Sequence, residues 1–133
     1  MSEGYQAAPT SGRSSGRRGV VMDQTPKHVK RAIRELAGRA YEIELSRELA
    51  ALEDEFSRWH RGDITAFDVS EAIHRFHQGP ARELYLTYTH PHPKGAIASA
   101  IYMGILDRTQ IAPDVLEELA GALSMYGASN SAQ

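Results

Sequence analysis

The chain has 133 residues, 41% hydrophobic and 24% charged, with a formal net charge of −2, proportions that predict one soluble domain of about 100 residues burying about 65% of its unfolded surface. With no cysteine, disulfides, thiol catalysis and thiolate metal sites are excluded, and a reducing cytoplasm is the expected setting. Residues 1–21 contain no apolar stretch of signal-peptide length, and the longest apolar run, 95–106, is too short to span a bilayer, so no membrane partner is expected.

Residues 1–24 are rich in Ser, Gly, Ala and Arg without hydrophobic periodicity, and the sequence reads them as a disordered extension. Met22 just precedes the first helix signal and is a candidate natural start. Charge is unevenly placed: residues 13–39 carry eight basic side chains against Asp23 and Glu35, leaving the rest of the chain acidic. A basic arm on an acidic body points to an anionic partner or to self-association of unlike ends.

The first helix is predicted from Thr25, as its cap, through Pro26 in the first turn to about His60, with Gly62 closing it. Gly38 is its one interruption, at a cost of about 1 kcal/mol relative to alanine. Some 35 residues at 1.5 Å each make a rod of about 50 Å, longer than a compact domain of this size. Two apolar stripes occupy it. Val29, Ala32, Ile33, Leu36, Ala40 and Ile43 form one in the first half; Tyr41, Leu45, Leu49, Leu52, Phe56 and Trp59 form another, rotated by roughly 160°. Leaving either in water forgoes roughly 10 kcal/mol, at about 1.5–3 kcal/mol per large side chain. Two covering bodies are therefore expected, one of them a second subunit, unless a kink near Gly38 or Ser46 turns both stripes inward. The assigned partner or dimer interface is Val29, Ile33, Leu36, Ala40 and Ile43.

A second helix is predicted to about Gln78, opened by a Thr65–Asp68 capping box and burying Ala66, Val69, Ile73 and Phe76. The short turn before it makes it antiparallel to the first. Gly79-Pro80 should end it and start a third helix carrying Leu84, Tyr85 and Tyr88. His90-Pro91-His92-Pro93 should then be extended. A fourth helix is expected over 95–106, its Ala96, Ala100 and Gly104 permitting close helix approach. Asp107 to Ala112 should turn the chain, with Ile111 tucked inward. A fifth helix opens at Pro113, with Leu116, Leu119, Ala120 and Leu123 in register. The domain is expected to cover 25–127, with 128–133 a frayed tail. The predicted fold is all-α, a small helical bundle of about five helices with one long N-terminal helix and a helical-hairpin core.

Chemical signals are sparse. Glu71 and His74 have the Glu-x-x-His spacing of carboxylate-bridged metal pairs in bundles, but the helical wheel puts them opposite Val69, Ile73 and Phe76. They read as a solvated face. His77 reads as a boundary residue bonded to backbone near Gly79, and His90 and His92 as alternating along extended chain. Serine nucleophile motifs, phosphate-binding glycine loops and zinc-protease signatures are missing, so no catalytic residue, metal ligand or cofactor is assigned. Lys27, Lys30, Arg31 and Arg34 form a basic stripe on the first helix suited to phosphates, although a pI near 6.3 is low for a dedicated nucleic-acid domain. The sequence thus points to a non-enzymatic, cytoplasmic interaction module, a homodimer or the partner of another protein. Two further readings are a nucleic-acid-binding regulatory or antitoxin-like protein using the basic helix, and a metal-dependent helical-bundle enzyme.

Overall fold

The computed structural model describes residues 24–131, with side-chain environments to residue 127; the expected disordered extension therefore lies almost wholly outside the described residues. Within them the chain is all-α, without strands. α1 spans Lys27–His60, α2 Ala66–Phe76, α3 Arg82–Tyr88, α4 Lys94–Tyr102, α5 Pro113–Glu118 and α6 Ala120–Ser131.

α1 runs unbroken for 34 residues through Gly38 and Ser46. Over its whole length it has almost no net apolar side, because its two stripes oppose each other. Its start differs from the capping expectation. Pro26 occupies the N-cap position with no side-chain cap, and the Thr25 hydroxyl instead donates to Glu118, 3.3 Å away. At its other end Gly62, at φ +83°, donates to the Trp59 carbonyl while Asp63 donates to that of Arg58. This paired closure needs a left-handed residue, which glycine adopts without strain.

The predicted capping box opens α2: the Thr65 hydroxyl accepts from the Asp68 N–H at 3.1 Å, and the Asp68 carboxylate accepts from the Thr65 N–H at 2.9 Å. The buried face is Val69 and Ala72 with half-buried Phe76; Ala66 and Ile73, expected inside, are exposed. Nor does Gly79-Pro80 end the helix. A π-helical turn, His77–Ala81, carries Pro80 inside it and joins α2 to α3 as one bent arm. Widening the turn accommodates a proline ring and its missing N–H without a chain reversal. Counted with this arm as one body, the described residues form five α-helical bodies.

The arm runs back along α1: Ala72 and Phe76 lie near Leu52 and Glu55, while Tyr88 reaches Glu44 and stacks on Tyr41 at 6.0 Å. Residues 89–93 bend rather than extend, bringing the rings of His90 and His92 to 5.8 Å, with the His92 N–H donating to His90 Nδ1 at 3.0 Å. α4 is the hub, with Ile97, Ala98, Ala100 and Ile101 buried. It stops at Tyr102, short of the expected 106, because Gly104 at φ +79° forms a second left-handed closure, with Gly104 donating to Ile101 and Ile105 to Ala100. Gly104 is thus a turn residue rather than a small packing residue.

The expected fifth helix is two. Pro113 opens α5, and Leu119, wholly buried between α5 and α6, sits at the break. α6 then continues to Ser131, past the predicted end of the domain, and meets α4 through Tyr102 and Tyr126, stacked at 5.4 Å. The core of α1, α4, α5 and their connections is apolar throughout, with no buried polar or charged side chain among the described residues.

Candidate association surface

Val29, Ile33, Leu36 and Ala40, assigned to a partner interface, are buried in this chain's own core, and Ile43 packs partly buried against it. The assignment is corrected accordingly. The chain folds back so that α4 and α5 cover the first stripe of α1, while the α2–α3 arm covers much of the second. Both covering bodies belong to the same chain, and no kink is needed. The coverage is uneven on the second stripe. Leu45, Leu52 and Phe56 are half-buried, but Leu49 is 45% and Trp59 40% exposed. On the arm, Phe67 is 86% and Ile73 43% exposed, and Tyr85 also faces solvent.

Polar contacts anchor the first turn of α1 to α5. His28 Nε2 lies 2.7 Å from Asp114, and Glu118 receives both the Thr25 hydroxyl and the Lys94 ammonium. The His28 contact holds the Asp114 carboxyl below its ordinary range, and Lys94 does the same for Glu118. His28 and Asp114 are largely exposed, so their contact positions the helix end more than it stabilises it, while Glu118 is half-buried.

The basic stripe lies outside the core: Lys27, Arg31 and Arg34 are exposed and Lys30 is half-buried. Glu71 and His74 are exposed too, and Glu71 pairs with Arg75 at 3.4 Å across one helical turn. His77 is an exposed residue at the start of the π turn rather than a boundary group. No group of three or more potential metal-ligating His, Asp or Glu side chains occurs among the described residues.

Sequence reasoning missed the junction of α1 with α3 and α4. There Glu44, Glu48, Glu83, Leu84, Ala100 and Met103 are among the residues lining a crevice of about 300 Å³, and Glu44 accepts the Tyr88 hydroxyl. No local spacing announces that pairing. A second omission is the open side of α1 through Arg39, Ser46 and Glu53, which seven-residue steps keep on one side of the helix but no apolar repeat marks.

No helix of the described residues is long and apolar enough to cross a membrane. No protein-family model matches the chain, and neither a curated protein nor a solved structure shows significant similarity to it.

Proposed function

We propose that this chain is a non-enzymatic, cytoplasmic helical module that works by protein–protein association as a homodimer, with α1 as the backbone of its contact surface. One observation carries the reading: after the chain has folded onto both stripes of α1, Leu49, Trp59, Phe67, Ile73 and Tyr85 still present large apolar surface to solvent. Single exposed apolar residues are ordinary, but several along one rod and its covering arm suit association. Sedimentation equilibrium on the full chain tests this. A concentration-dependent dimer supports it, and a strict monomer into the high micromolar range overturns it.

A second reading draws on the outward placement of Lys27, Arg31 and Arg34, which suits the phosphates of a nucleic acid. Fluorescence anisotropy with nonspecific duplex DNA tests it. Binding that weakens with salt, at a log–log slope of about 0.9 per neutralised phosphate, is the expected result, and no binding at low salt removes it.

A further inference from the structure

One side of α1 is left clear of both intramolecular partners. The core takes the side of Val29, Ile33, Leu36 and Ala40, and the arm takes that of Tyr41 and Leu52. Seven-residue steps return to nearly the same side of a helix. Arg39, Ser46 and Glu53 form such a series, and all three are exposed. Two open hollows lie along this side. One is lined by Glu35, Gly38, Arg39, Glu42 and Ile43, the other by Ser46, Leu49, Ala50, Leu52, Glu53 and Phe56; both are lined by α1 alone and lie wide open to solvent. Ser46 lines the second, three residues beyond Ile43 of the first.

Charge is segregated along the same rod. Residues 27–41 carry five basic side chains against Glu35, whereas residues 42–60 carry six acidic ones against Arg47 and Arg58. The first turn has no acidic residue of its own, and Asp114 and Glu118 of α5 lie beside it instead. Two rods side by side in parallel would set like charge against like. In antiparallel pairing Arg39 of each rod meets the acidic half of the other at Glu53, and the two dipoles oppose, while Lys27, Lys30 and Arg34 lie on another side of the helix.

Resting on the dimeric reading above, we infer that a second copy of this chain covers this side, with the two α1 rods antiparallel and Ser46 on the twofold axis. Arg39 and Glu53 are equidistant from Ser46, so the symmetry sets Arg39 opposite the partner's Glu53 twice. Ile43 comes level with the partner's Leu49 and the partner's Ala50. The partner's Phe56 comes level with Leu36, two residues from Gly38, where nothing lies within 4 Å of the position a Cβ would take and a ring has room to enter. Small side chains at Ser46 and Ala50 let the axes approach to about 8 Å.

The chain lacks cysteine, so Ser46→Cys introduces a single thiol. On mild oxidation it should form a covalent dimer, while Ser70→Cys on exposed α2 should not. Arg39→Glu and Glu53→Arg should each weaken the dimer about tenfold by placing like charges together, and R39E/E53R combined should return to within about twofold of the parent. Raising salt should weaken the parent dimer. All these positions are exposed, and circular dichroism checks that each variant keeps its helix content. A dimer that ignores both charge exchanges and does not cross-link through position 46 overturns this surface while leaving the dimeric reading standing. A monomer at every concentration and salt overturns both.

Discussion

The Tyr88 hydroxyl donates a hydrogen bond to the Glu44 carboxylate, joining the last turn of α3 to the middle of α1 across 44 positions of sequence. Tyr88 is buried, and its ring stacks on Tyr41 beside the same contact. One side chain thereby fixes how far along α1 the arm lies.

Removing the hydroxyl separates its polar and apolar contributions. Tyr88→Phe should cost about 1 kcal/mol, because Glu44 loses a donor at a half-buried position, whereas Tyr88→Ala should cost about 3–5 kcal/mol through the cavity left behind. Urea denaturation followed by circular dichroism measures both. Equal losses would show that the hydroxyl, rather than the ring, does the holding.

Burial, and then the Glu44 carboxylate, push the Tyr88 phenol above its ordinary value of 10.0. A folded-state value above the unfolded one means that the associated stability is complete below about pH 10 and is lost as the pH rises beyond it. Ultraviolet titration should therefore show a late-ionising tyrosine that Tyr88→Phe removes. Titration curves that superimpose would contradict this placement.

Gly62 and Gly104 close α1 and α4 in left-handed geometry with open space around each α-carbon, so backbone strain, not crowding, governs substitution there. Gly62→Ala and Gly104→Ala should each cost about 1–2 kcal/mol, while Gly38→Ala, in mid-helix, should be neutral or stabilising by up to about 1 kcal/mol. Thermal melts of the three variants decide it. A Gly38 variant as damaged as the others would mean that the hollow on α1 has a role of its own.

The Thr65 backbone N–H, and then its side chain, hold the Asp68 carboxyl below the usual range. A depressed value contributes stability above the unfolded carboxylate range near pH 3.9 and loses it as the pH falls through the folded value. Thr65→Ala should cost about 1 kcal/mol at neutral pH. Its penalty should shrink toward pH 2, where the parent's capping box is itself protonated. A penalty independent of pH, measured in urea at pH 7 and pH 2.5, would contradict the reciprocal bond.

Local signals in this chain specify helix ends. Thr65 and Asp68 make their capping box, Gly62 closes α1 and Pro113 opens α5, each within a few residues of its partners, and so these were legible before any tertiary contact was known. The two opposed stripes on α1 were legible too, because apolar spacing at the helical repeat needs no knowledge of what lies opposite. Which body covers each stripe was not legible, since that depends on where the arm and α4 come to rest. The same holds for Thr25, which forgoes capping for Glu118 ninety-three positions away, and for Leu119, whose burial divides a helix that periodicity alone would continue. Helix propensity acts over one or two turns, while packing chooses among distant partners by which apolar surface they leave uncovered. That choice made Val29, Ile33, Leu36 and Ala40 a core rather than an interface, and left the Arg39–Ser46–Glu53 side of the rod open.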